Sequence, residues 1–186
     1  MRIISGLMRG TKLFTLEGEN TRPTLDRVKE ALFSKIEFDL EDSIVLDLFS
    51  GSGALALESI SRGAKKAVLC DSSFEAVKVI KQNIAKTRTE DKTEVLKMNY
   101  VQALEMLKGK GEKFDIVFLD PPYATDYAVD ATKYLIENNM IKDESMIIIE
   151  TDNKDNIVNK IESNLTDIID IKKYGRVFLI FLKRKG

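Results

Sequence analysis

Apolar positions fall into two textures along this chain. Near the start they are spaced, with Leu25, Val28, Leu32 and Ile36 recurring at helical intervals. Thr24 is placed to cap that helix, and Pro23 disfavours helix before it. Ahead of it, Arg2 to Thr15 roughly alternates around Gly6 and Gly10, the pattern of a hairpin or two short strands. After Ser43 short continuous runs take over: Ile44 to Phe49, Ala67 to Cys70, Ile116 to Leu119, Met146 to Ile149 and Val177 to Leu182. They are too short for helices, and several are rich in β-branched residues. Continuous rather than alternating runs predict strands buried on both faces. Helical spacing returns between them, at Leu55 to Ile60, which stops at Gly63, and at Phe74, Val77, Ile80 and Ile84, which closes before the polar stretch Thr87 to Lys92.

Strands alternating with helices predict βαβ units and a mostly parallel, doubly wound α/β sheet. The last two strands, Ile168 to Lys172 and Val177 to Leu182, are joined only by Lys173 to Arg176. So short a link cannot make a parallel crossover, so this pair is expected to be an antiparallel hairpin. No internal repeat or low-complexity segment interrupts the pattern, and 186 residues suit one domain.

Composition removes whole classes of chemistry. There is no His, which excludes imidazole catalysis, Ser-His-Asp triads and His-ligated metals. The single Cys, Cys70, forbids an intramolecular disulfide and fits a cytoplasmic setting. No apolar run approaches the ~20 residues of a membrane span, and the N-terminus lacks the apolar stretch of a signal peptide.

The first buried strand runs into Asp47-Leu48-Phe49-Ser50-Gly51-Ser52-Gly53-Ala54. Glycines at a strand-to-helix turn let a ligand approach the main chain, and G-x-G-x-x-A fits the relaxed dinucleotide fingerprint. Asp71 follows Gly51 by 20 residues at the end of the next strand, where a carboxylate accepts hydrogen bonds from ribose hydroxyls. The loop therefore indicates a nucleoside cofactor without saying which. A P-loop is excluded, because no Gly-Lys-Ser/Thr follows. Asp47, a carboxylate in an apolar strand, calls for a partner. The amino group of a methionine moiety is one candidate; the backbone N–H groups of the loop are another.

The strand Phe114 to Leu119 ends in Asp120-Pro121-Pro122-Tyr123. In a doubly wound sheet this motif and the glycine loop share the rim at the carboxyl ends of the strands. Two prolines fix the backbone and remove two donors, leaving carbonyl acceptors beside the Asp120 carboxylate and the Tyr123 ring. Two acceptors on the N–H bonds of an exocyclic base amine localise its lone pair, and an aromatic face fixes the base plane. Methylation of a pyrimidine ring carbon usually needs a Cys nucleophile, and Cys70 lies far in sequence from this motif.

With these motifs the chain resembles class I S-adenosylmethionine-dependent methyltransferases. It is most similar to the bacterial RsmD-type family, which methylates the N2 amine of a guanine in small-subunit ribosomal RNA. Arg2-Ile3-Ile4-Ser5-Gly6 with Arg9-Gly10, Thr21-Arg22-Pro23-Thr24 with Asp26 to Glu30, the Leu46 to Leu55 loop, Phe114 to Tyr123 and Tyr174-Gly175 carry the likeness over essentially the whole chain. The resemblance implies a Rossmann-like, seven-stranded sheet in a single domain 1–186, with a hairpin-and-helix extension at 1–40 and a core at 41–186. It implies cofactor contacts at Asp47, Phe49, Gly51, Ser52, Gly53 and Asp71, and a catalytic role for Asp120, Pro121, Pro122 and Tyr123. Asn99 falls where the family often has an Asp beside the adenine ring; an ordinary helix cap is the alternative. Neither a metal nor a membrane is expected. The expected partner is small-subunit ribosomal RNA or the assembled small subunit, met by a monomer.

The whole-chain charge of −1 conceals an uneven distribution. Residues 1–35 carry a net +3 and residues 172–186 a net +6, against −10 for the rest. Basic segments at both ends are candidates for a phosphate footprint; Lys183 to Lys185 alone read as a solvated tail, whereas the family resemblance makes Arg9, Lys12, Arg22 and Arg27 the expected RNA contacts. Three rivals stay open at this stage. They are amine methylation of DNA adenine, another RNA or protein Gln, a nicotinamide-dependent oxidoreductase, and a non-catalytic RNA-binding module.

Overall fold

The computed structural model describes residues 1–16, 23–161 and 163–185, with 23–25 followed as backbone only. Seven strands form one sheet: β1 (Ile44–Asp47), β2 (Lys66–Asp71), β3 (Thr93–Lys97), β4 (Phe114–Leu119), β5 (Ile141–Thr151), β6 (Thr166–Tyr174) and β7 (Val177–Arg184). Their spatial order is β3-β2-β1-β4-β5-β7-β6. The first five pair in parallel; β7 runs antiparallel to both β5 and β6. The helices are α1 (Pro23–Lys35), α2 (Ala54–Ser61), α3 (Phe74–Thr87), α4 (Tyr100–Gly109), α5 (Tyr127–Glu137) and α6 (Lys154–Lys160).

The apolar runs behave as their continuity predicts. Val45, Ile116, Phe118, Ile148 and Phe181 face a core shared with α1, α2 and α3. Their neighbours Leu46, Val117, Leu119, Ile147, Ile149 and Ile180 face a second core shared with α4, α5 and α6. These four strands, β1, β4, β5 and β7, are thus covered on both sides, which period-2 side-chain alternation requires of a buried sheet. The order in which successive strands are added reverses between the parallel neighbours β1 and β4, and a doubly wound sheet opens its crevice at that switch point.

Several boundaries differ from the pattern. β1 ends at Asp47, so Leu48 and Phe49 already belong to the turn, held by a Leu48 N–H bond to Phe118 O (3.2 Å). Helix α1 includes Pro23, which places Thr24 inside its first turn rather than at its cap. β5 starts at Ile141, before its apolar run, where the pairing with β4 is irregular. β3 shows no apolar run because it is an edge strand with only Leu96 fully buried. The N-terminal hairpin is minimal: one antiparallel bridge, Arg2 to Lys12, with Ile3 N–H bonded to Thr11 O (2.9 Å) and Leu13 N–H to Met1 O (3.0 Å).

What holds that short segment is α2. The buried Glu58 carboxylate accepts the N–H groups of Ile4 (2.8 Å) and Ser5 (3.0 Å) and pairs with Lys29 (3.1 Å) and Arg62 (2.8 Å). A buried carboxylate with four donors is satisfied, whereas removing one partner leaves a costly charge. Gly6 sits at φ +80°, where a Cβ would meet Ser61 O at 1.8 Å. Only glycine allows that approach. Further on, the buried Asn83 of α3 clamps Phe14 by two bonds (2.8 and 3.0 Å) and donates to Ser52 O (2.9 Å).

Candidate active site

The β1–α2 turn is built to keep its backbone close to a ligand. Ser50 N–H bonds to Cys70 O (2.9 Å) and Gly53 N–H to Ser50 O (2.7 Å). Gly51 and Gly53 adopt φ values of +53° and +79°, and a Cβ on Gly53 would press on Leu69 at 2.9 Å. Asp71 is fixed by the loop it serves: its oxygens accept the N–H groups of Gly51 and Ser73, both at 2.9 Å. Ser52 is buried, and its carbonyl is the one held by Asn83.

Asp47 is 1% exposed, and its Oδ2 has no hydrogen-bond partner among the described residues. Burial pushes its carboxyl up to about 7; the Ser50 hydroxyl and the Ala56 N–H oppose this, and the nearby Asp71 charge adds to it. An unpaired acceptor in that position calls for a cation or a donor. The residues therefore fit the ammonium of a methionine moiety. Asp47 lines a small cavity of about 230 Å³, together with Asp120 and Glu150.

Phe49, Gly51 and Asp120 belong to that cavity and also to a larger cleft of about 1690 Å³ across the switch point. Asp71, Asn99, Pro121, Pro122 and Tyr123 line the same cleft. Asn99 caps α4, its Oδ1 accepting Gln102 N–H (3.0 Å), so it is both helix cap and cleft wall. Pro121 is buried, whereas Asp120, Pro122 and Tyr123 are exposed. Pro122 O is already engaged by the Thr125 hydroxyl (2.8 Å). Burial raises the Tyr123 phenol above its ordinary value, and the charges of Glu150, Asp120 and Asp152 add to this. Cys70 is buried, its Sγ donates to Met98 O (3.3 Å), and burial pushes the thiol up to about 12, which leaves it protonated.

Two cleft aromatics escaped the motif reading. Tyr100 and Tyr127 open α4 and α5, and with Phe49 they form a cluster with ring centroids 4.9 to 6.4 Å apart. Their signal was position: each begins the helix that follows a parallel strand, on the ligand-bearing rim. Glu150 and Asn83 looked like ordinary polar positions in the sequence.

Among the described residues, Arg9, Lys12 and Arg27 do not line the large cleft. Arg9 and Arg27 line a groove of about 380 Å³ with Arg2, Asp26 and Glu30. Lys12 serves as the bridge partner of Arg2. Arg22 lies outside the described residues.

Residues 1–183 match the family model described as "Conserved hypothetical protein 95". Ribosomal RNA small subunit methyltransferase D of Haemophilus influenzae is 38% identical over 153 residues, 82% of this chain and 79% of the relative. The chain belongs to the ribosomal RNA small subunit methyltransferase D family. The family member from Escherichia coli K12 is 36% identical over 152 residues, 82% of this chain and 75% of its own length. The solved structure of yhhF from Escherichia coli superposes at TM-score 0.85 and 33% identity, covering 100% of this chain and 98% of that one. SMU.776, solved with SAH, shares the fold at TM-score 0.65 and 14% identity over 81% of this chain and 49% of its own. A Rossmann-like α/β fold is thus common to the family, to these structures and to the sheet described above.

Proposed function

We propose that this chain transfers a methyl group from S-adenosylmethionine to the exocyclic N2 amine of a guanine in 16S ribosomal RNA. The observation that carries the reading is the meeting, at one switch point, of the unpartnered Asp47 Oδ2 and the exposed Asp120-Pro121-Pro122-Tyr123 turn. Family membership supports the reaction class, and the relatives' ribosomal RNA names support the substrate class.

S-Adenosylmethionine supplies an electrophilic sulfonium methyl and leaves as S-adenosylhomocysteine. Asp47 would hold its ammonium, with Phe49, Gly51, Ser52 and Gly53 forming the loop around it, Asp71 facing the ribose and Asn99 the adenine edge. The Phe49–Tyr100–Tyr127 cluster adds an aromatic surface to the same cleft. The Asp120 carboxylate and the Pro121 carbonyl accept the two N–H bonds of the guanine amine, and Tyr123 stacks on the extruded base. The Thr125 bond to Pro122 O supports the choice of Pro121 as the carbonyl partner. Positioning of this kind supplies ~7–11 kcal/mol, and the Asp120 carboxylate stabilises the positive charge that grows on the amine, which is discharged when the methylated nitrogen gives up one proton to solvent. Arg9, Lys12, Arg22 and Arg27 hold RNA phosphates. The reading takes the enzyme as a cytoplasmic, single-domain monomer that requires no metal.

Incubation with labelled S-adenosylmethionine and unmodified small subunits, followed by nucleoside analysis, tests it. N2-methylguanosine is the expected product. A different methylated base, or label in protein, overturns the substrate assignment.

A further inference from the structure

The carboxyl-end rim has one more component, and it comes from the antiparallel end of the sheet. β7 runs against β5, with Phe178 opposite Thr151, so β7 begins where the parallel strands end. The β6–β7 turn is therefore carried onto the ligand rim. Tyr174 pairs with Val177, which leaves Gly175 and Arg176 as a two-residue turn, with Gly175 at φ +62°. Tyr174, Gly175 and Arg176 all line the large cleft.

Charge separates Arg176 from the rest of the basic C-terminal segment. Lys172 pairs with Asp170 (3.5 Å), and Lys173 lies over the Phe178 ring. Lys183 pairs with Glu144 (3.0 Å), Arg184 bonds to Asn139 (3.0 Å) and Lys185 to Ser163 O (3.1 Å). Arg176 is exposed and has no ion pair or hydrogen-bond partner among the described residues. It is also the one cation among the described residues lining a cleft whose carboxylates are Asp71 and Asp120. A polyanion brought to those acids needs a compensating cation at the mouth.

We infer that Arg176 is a substrate-positioning residue, binding a phosphate next to the extruded nucleotide and so fixing the strand at the mouth of the cleft. When a base is flipped into a pocket its own backbone stays outside, and a guanidinium fork grips phosphate oxygens two at a time. Such a contact sets register without reading sequence. The assignment rests on the RNA reading above.

The test uses the full chain, unmodified small subunits as substrate, and the variants Arg176→Ala and Arg176→Lys. The side chain is exposed on a turn, so both variants are expected to fold. Arg176→Ala should raise KM for the RNA substrate about tenfold and lower the slope of log affinity against log salt by about 0.7. It should leave kcat and S-adenosylmethionine affinity, read by calorimetry, unchanged. Arg176→Lys should recover the salt slope. Unchanged KM and slope in Arg176→Ala overturn the inference. So does a loss of cofactor affinity, which would assign Arg176 to the cofactor carboxylate. A wild-type chain that transfers no methyl to RNA overturns the parent reading; an active wild type matched by Arg176→Ala overturns this inference alone.

Discussion

On the β1 side of the cleft the glycine loop is tied down by Cys70 O, Asp71 and Asn83, whereas on the β4 side Asp120, Pro122 and Tyr123 stand exposed. The difference follows from what each side receives. A small cofactor is the same at every turnover, so a rigid loop of backbone donors and one unpaired buried acceptor binds it at little reorganisation cost. A nucleotide in a large RNA arrives from outside, so its partners have to project. The minimal N-terminal hairpin belongs to the rigid side, because α2, which carries Glu58 and Ser61, begins at the loop.

Four substitutions and one titration separate the two sides. Asp120→Ala should lower kcat about 10²–10³-fold and leave S-adenosylmethionine affinity intact, as read by label transfer and calorimetry. Full activity in that variant would remove Asp120 from the mechanism. Asp47→Asn should do the reverse, weakening cofactor binding about a hundredfold, because a buried charge loses its partner.

The same side chain predicts a pH dependence. Its carboxyl titrates near 7 in the cofactor-free fold, well above the ordinary 3.8. Below the lower value both folded and unfolded states are protonated and the group has no effect. As pH rises from there towards 7, the unfolded chain ionises first, and stability falls by a few kcal/mol. Chemical denaturation across that window should show this decline in the wild type and a flatter profile in Asp47→Asn.

Asn83→Ala strips donors and acceptors from Phe14 and Ser52 at once. It should cost about 2 kcal/mol in unfolding free energy, with weaker cofactor binding than the catalytic variant shows. The smallest effect is expected at Arg27→Ala. Loss of one phosphate contact in the Arg9–Arg27 groove should raise KM for RNA a few-fold, and high salt should erase the difference.

Legibility in the sequence followed the same division. The parallel core was readable because a strand covered on both faces has to be apolar at every position, as in Val45-Leu46 and Ile147-Ile148-Ile149. β3 was harder to read, since an edge strand tolerates the polar positions of Thr93 and Glu94. Asp47 was visible as an acid inside an apolar strand and Asp120 as an acid just after one. Tyr100 and Tyr127 were not, because an aromatic opening a helix has the same local pattern whether it packs in a core or faces a ligand. Glu58 and Asn83 were equally hidden, since a polar residue in an amphipathic helix reads as surface until a second segment is seen to cover it.

The sequence alone determined the alternation of buried strands with helices, the antiparallel end of the sheet, the glycine loop and the acidic tetrapeptide, since each depends on local periodicity or on a short run of residue types. Tertiary structure decided what those parts meet. Among the described residues it left Asp47 Oδ2 and Arg176 without a partner, sent Pro122 O to Thr125, and engaged Lys183, Arg184 and Lys185 through neighbours remote in sequence. Whether a polar group is used or left available depends on distances between segments, and no spacing along the chain encodes those.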